Sequence, residues 1–141
     1  MAAMELEGKT ALITGGALRI GRKIALTLAS CGVHIVVHYR ESQKEARDLK
    51  KQIEALGPRA FLIPADFSFK KKSTLPDLQS FIRSVYELVP RVDILINNAS
   101  VFYPVELEKI TEEIWDENMS VNLKVPFFLA RQIGLRMLQK K

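Results

Sequence analysis

The run Thr14-Gly15-Gly16-Ala17-Leu18-Arg19-Ile20-Gly21 stands between a short apolar stretch and an amphipathic one. Glycine at 15 allows a tight exit from a strand, and glycine at 21 lets a following helix lie close to a sheet. Backbone amides at such a helix start point outward, and the helix dipole favours negative charge there, so a pyrophosphate is the natural ligand. Glycines also serve ordinary turns, so the cluster gains meaning from its place within a strand–helix–strand unit. Thr14, Gly15, Arg19, Ile20 and Gly21 are the candidate contacts.

Selectivity between dinucleotides is decided at the end of the second strand, where an acidic residue reads a free ribose 2′-hydroxyl. This chain offers His38-Tyr39-Arg40-Glu41-Ser42 instead. Arg40 can donate two hydrogen bonds to a 2′-phosphate, and Ser42 adds a hydroxyl and helix-start amides. Tyr39 and His38 border that place, and Glu41 points outward in the first helical turn. NADP(H) is the expected cofactor; the competing reading of Arg40 is a plain surface charge at a strand end.

Alternating elements must position these groups. Strands are expected at Thr10–Thr14, Val33–His38, Ala60–Ile63 and Val92–Asn97. The second is apolar almost throughout, as strands buried on both faces are. A helix from Arg19 to about Cys31 carries Ile20, Ile24, Leu28 and Cys31 at helical spacing, with Cys31 read as a small buried group. Ser42 and Glu45 form a capping box for a helix with the inner face Ala46, Leu49, Ile53 and Leu56, ended by Gly57-Pro58. A third helix starts near Ser73 or Thr74, tolerates Pro76 in its first turn and buries Leu78, Phe81, Ile82, Val85 and Val89. Thr111 opens a mainly helical tail that Pro126 must kink or interrupt. Trp115 reads as packing, and Asp93 has no assigned chemistry.

Repeated strand–helix–strand crossovers demand a parallel sheet with helices on both faces, a doubly wound α/β fold of Rossmann type. In a 3-2-1-4 order the apolar fourth strand would lie at the edge, which invites aggregation. Residues 1–141 are therefore expected to be a single NADP-binding domain, cut short after the fourth strand and its following helix, the N-terminal part of a longer domain.

Composition narrows the classes. With 48% apolar and 26% charged residues, disorder is dismissed. The net charge of +5 raises a nucleic-acid partner. The positive residues are scattered apart from Lys70–Lys72 and Lys140-Lys141, without interleaved aromatics, and a solvated loop is the simpler reading. Neither nucleic acid nor membrane is an expected partner, since no apolar run reaches the roughly 18 residues of a membrane span. One cysteine and no secretory pattern favour a reducing, cytoplasmic setting. His34 and His38 are too far apart along a strand to share a metal, and no metal site is expected.

Taken together, these residues resemble the short-chain dehydrogenase/reductase family over essentially the whole chain. Thr14 to Gly21 resembles the family's Thr-Gly-x-x-x-Gly-x-Gly, with Arg19 where a glycine usually stands. Asn97-Asn98-Ala99-Ser100 resembles Asn-Asn-Ala-Gly, with Ser100 replacing glycine. The resemblance implies that Asp66, with Phe67 beside it, holds the adenine ring, that Asn98, Ala99 and Ser100 border the cofactor, and that Asn122 is the catalytic asparagine. Arg19, Arg40 and the run from Asn97 to Pro104 resemble the pteridine reductase branch. That implies reduction of dihydropterins or dihydrofolate by NADPH. Arg19 would touch cofactor phosphate and the pterin rim, Ser100 would bond substrate or phosphate, and Phe102 would form one wall around the ring. Phe102 as a plug for the core is the alternative. A carbonyl compound such as a 3-oxoacyl thioester is the other substrate class.

Catalysis in the family requires Tyr-x-x-x-Lys. Tyr39, Tyr86 and Tyr103 are followed four residues on by Gln43, Pro90 and Leu107. The 141-residue chain alone is thus expected to bind part of a dinucleotide without turning substrate over. The full-length protein is expected to be an enzyme and a homo-oligomer that pairs through the Asn122 helix. A non-catalytic, nucleotide-binding or regulatory form is the competing reading.

Overall fold

The computed structural model describes residues 5–68 and 74–139; the lysine run at 70–72 and the terminal lysines lie outside them. Four strands, β1 (Thr10–Ile13), β2 (His34–Tyr39), β3 (Ala60–Pro64) and β4 (Ile94–Ile96), alternate with α1 (Arg19–Ser30), α2 (Gln43–Ala55) and α3 (Thr74–Leu88). The sheet is parallel throughout, in the order β3-β2-β1-β4. Leu12 pairs in register with Val36 on one side and Leu95 on the other. The doubly wound arrangement is therefore the expected one, with β4 at an edge among the described residues.

Side chains alternate across the sheet and divide the core in two. Ala11, Ile13, Ile35 and Val37 pack with α1 and α2, against Ala25, Leu49 and Ile53. Leu12 and Val36 face the other way, into a layer formed by α3 and the C-terminal helix. The expected face of α3 is buried from Leu78 to Val89. The polar start of β4 is occupied by Asp93, whose carboxylate accepts the Thr10 amide at 2.9 Å and pairs with Arg91. That structural role had no sequence signal beyond an acid at a strand start.

Several local expectations are corrected. The fully buried side of α1 is Gly21, Ala25 and Ala29, one position round from the row of larger residues; Ile24 and Leu28 pack half-buried against the core, whereas Ile20 is 71% exposed and Cys31 is exposed. Small residues win because this helix lies close on the sheet. Added to Gly21, a Cβ would stand 2.5 Å from the Gly15 carbonyl oxygen. Leu56 is also exposed, because the helix has already ended at Ala55. Ser42 is the N-cap of α2, yet its side chain makes no capping bond. Trp115 is 58% exposed and packs into no core.

Thr111 caps α4 (Glu112–Met119), its hydroxyl accepting the Ile114 amide. The tail then passes through one π turn, Ser120–Lys124, into α5 (Val125–Gln139). Pro126 explains the irregularity. It has no N–H for the Asn122 carbonyl, and widening the preceding turn relieves the clash of its ring with that carbonyl. Val125 bonds back to the Ser120 carbonyl in the π pattern.

Candidate functional site

A cleft of about 480 Å3 opens at the C-terminal ends of β1, β2, β3 and β4. This is where ligands sit in doubly wound sheets, at the point where strand order reverses. Its floor begins with the glycine turn. Gly15 has φ +61°, and a Cβ there would lie 2.9 Å from the Ala99 Cα, so only glycine fits. Arg19 has φ +48°, the one non-glycine residue in the left-handed region among those described. The conformation is the one glycine adopts freely, and holding arginine in it costs about 1 kcal/mol. Helix α1 starts without a side-chain cap at Leu18. Its first bond runs from the Arg22 amide to the Leu18 carbonyl at 3.1 Å. The amides from Leu18 to Gly21 thus have no intrahelical acceptor, an arrangement suited to an anion.

The Gly15 and Gly16 amides, by contrast, are turned inward. Gly15 donates to His38 Nδ1 at 3.1 Å and Gly16 to the His38 carbonyl at 2.9 Å. The expected grip on phosphate therefore narrows to the later residues of the turn. His38 is 2% exposed and stacks on Phe67 at a centroid distance of 4.1 Å. Because Nδ1 accepts, the ring proton sits on Nε2 and is donated to the Ala65 carbonyl at 3.0 Å. Burial pushes this imidazole down from 6.5 to about 4, outweighing the carbonyl and the nearby Asp66 charge. His38 thus ties the glycine turn to the end of β3. Its place in an otherwise apolar strand, beside the turn, was the one available hint of that role.

Thr14 stands behind the cleft, 2% exposed. Its hydroxyl oxygen accepts the amides of Asn98 and Ala99, both at 3.0 Å. The Asn98 side-chain amide returns to the carbonyls of Thr14 and Gly15, both at 2.9 Å. Thr14 and Asn98 thereby interlock the turns that follow β1 and β4. Asn98 also lines the cleft, together with Ala99 and Ser100.

Tyr39, Arg40, Ser42, Asp66 and Phe67 line the opposite wall, joined by Ile20 and Gly21 from α1. Phe67 is 4% exposed and contributes its ring to the core beneath. The Arg40 guanidinium lies 3.3 Å from Asp66, 3.6 Å from Glu117 and 3.7 Å from Glu41. Tyr103 donates to the same Glu117 oxygen at 2.8 Å. That carboxylate hydrogen bond is the main reason the phenol is raised above its ordinary value, with Arg40 opposing. The sequence reading missed Glu117 and Tyr103, which reach Arg40 only through the fold.

Phe102 and Asn122 lie outside the cleft lining. Phe102 is 82% exposed, so the core-plug alternative is set aside. Asn122 clamps the backbone of Val101, accepting its amide at 2.9 Å and donating to its carbonyl at 2.8 Å. In this way the π turn fixes the loop that follows β4. No group of three His, Cys, Asp or Glu side chains among the described residues could hold a metal. No helix among the described residues is long and apolar enough to cross a membrane.

Comparison with known proteins agrees with this geometry. The chain is 35% identical to 2-dehydro-3-deoxy-D-gluconate 5-dehydrogenase of Pseudoalteromonas atlantica, over 96% of this chain and 52% of that protein. A metagenomic short-chain oxidoreductase in complex with NADP superposes with a TM-score of 0.84 at 30% identity, over 96% of this chain and 59% of the other. Landomycin C-6 ketoreductase LanV, with NADP and rabelomycin bound, gives a TM-score of 0.79 at 35% identity, over 96% and 54%. The chain thus spans about half the length of the proteins it matches. The sequence model of the family described as short chain dehydrogenase matches residues 9–141, and the chain belongs to that family.

Proposed function

We propose that this chain supplies the cofactor-binding part of an NADPH-dependent short-chain oxidoreductase. The observation that carries this is the pairing of an uncapped helix start at Leu18–Gly21 with the Arg40 guanidinium across one cleft. The residues fit a dinucleotide. Gly15 and Gly21 sit where any Cβ would collide, and the unused amides suit the pyrophosphate. Arg40 and the uncommitted Ser42 hydroxyl would take the 2′-phosphate, and Asp66 the adenine. When bound, NADPH would supply the hydride. The chain's own part is to hold the two phosphate groups and, through Thr14, Asn98 and Asn122, to set the Asn98–Phe102 loop beside the nicotinamide end.

For substrate, we propose a flat heterocycle of the dihydropterin class. Arg19 keeps a strained conformation at the cleft, Ser100 lines it, and Phe102 presents an exposed ring beyond it. A carbonyl compound is the second reading. It is supported by relatives and neighbours described as a gluconate 5-dehydrogenase and a ketoreductase. As an enzyme the protein would act as a homo-oligomer in the cytoplasm, with Asn122 as a member of the catalytic set. The test follows consumption of NADPH by the full-length protein with dihydrobiopterin, dihydrofolate and a panel of ketones. Turnover of the pterins supports the first reading. Turnover of ketones alone establishes the second, and no turnover with either supports a non-catalytic nucleotide-binding form.

A further inference from the structure

Resting on the NADP(H) reading, we infer that Glu117 is a specificity-determining residue that competes with the cofactor 2′-phosphate for the Arg40 guanidinium. Three carboxylates surround Arg40, and they differ in how water screens them. The Glu41 side chain is 84% exposed and Asp66 47%, whereas Glu117 is only 19% exposed. Charge on Glu117 is therefore the least screened by water of the three, and its hold on Arg40 opposes an anion arriving there. A 2′-phosphate brings up to two negative charges to that guanidinium, and Glu117 must yield it.

Glu117 does not act alone. The oxygen that pairs with Arg40 also accepts the Tyr103 hydroxyl, and Tyr103 follows Phe102 directly in the loop after β4. Arg40 lies at the end of β2, Glu117 on α4 and Tyr103 on that loop, so the chain of contacts runs from the 2′-phosphate reader to the exposed aromatic. NADP(H) would break the chain at its first link, between Arg40 and Glu117; NAD(H), lacking the extra phosphate, would leave that link closed.

Titration calorimetry of the full-length protein with NADP+ and NAD+ tests this, using the unchanged protein and Glu117→Gln. The amide keeps the shape of the side chain and removes its charge. NADP+ affinity is expected to rise roughly three- to fivefold, with NAD+ affinity changing less than about twofold. Equal shifts for both cofactors, or weaker NADP+ binding in Glu117→Gln, overturn the competition. Absence of NADP+ binding by the unchanged protein overturns the cofactor reading as well, whereas normal binding with an unaltered ratio overturns this inference alone.

Discussion

Replacing His38 with phenylalanine keeps an aromatic ring against Phe67 and removes both side-chain hydrogen bonds, one from the Gly15 amide and one to the Ala65 carbonyl. The Gly15 amide and the Ala65 carbonyl are then left without partners, a loss of about 2–4 kcal/mol of folding stability at neutral pH. The wild-type side chain carries a matching pH dependence. Its imidazole is lowered from 6.5 to about 4 on folding, so the unfolded chain binds the extra proton first. This contribution is fully present above the unfolded value and is lost as pH falls through the folded one. At about 1.4 kcal/mol per pH unit, roughly 3 kcal/mol disappears across that window. Protonation would also set two donors, Nδ1–H and the Gly15 amide, against each other. Urea unfolding of the full-length protein between about pH 7.5 and pH 4 should therefore show wild type and His38→Phe far apart at the upper end and converging at the lower. Taking the difference between the two proteins cancels the other titrating groups they share. Parallel curves, or an imidazole that titrates near 6.5 in the folded state, would refute the role given to His38.

The other predictions address the cleft. Arg40→Asp should weaken NADP+ by about 1.5 kcal/mol, the low end for a charged hydrogen bond because over a third of the side chain is exposed, with little effect on NAD+; comparative calorimetry measures both. Thr14→Val removes the oxygen that accepts two amides and should cost about 2–4 kcal/mol by urea unfolding, whereas Thr14→Ser should cost under about 1.5 kcal/mol. Arg19→Gly should raise the unfolding free energy by up to about 1 kcal/mol by relieving the left-handed backbone, offset in part by glycine's greater unfolded-state entropy, while weakening cofactor binding. A loss of both stability and affinity would point to packing rather than ligand contact at that side chain.

The parallel order of strands was legible because each buried strand is a short apolar run and each crossover is long enough for a helix. The face of α1 was legible only in part. Of the expected row, Ile24 and Leu28 pack half-buried against the core, but Ile20 is exposed and the sheet is approached through Gly21, Ala25 and Ala29. Closeness to a backbone selects small residues and defeats a search for large ones. The glycine turn and Arg40 were legible as cleft residues because each follows a strand end that local spacing reveals. His38, Glu117 and Tyr103 acquire theirs from neighbours distant in the chain. His38 meets Gly15 across 23 residues, and Tyr103 meets Glu117 across 14. Ser42 shows the opposite error: a capping pattern was present, and the capping bond is not made.

The account depends on the helix-start amides of α1 holding a nicotinamide dinucleotide while Arg40 distinguishes its 2′-phosphate. Titration calorimetry of the full-length protein with NADP+ and with NAD+ measures this most directly. The predicted result is one site per chain and at least roughly tenfold tighter binding of NADP+, equivalent to about 1.4 kcal/mol. Heat with neither dinucleotide, or tighter binding of NAD+, would contradict it.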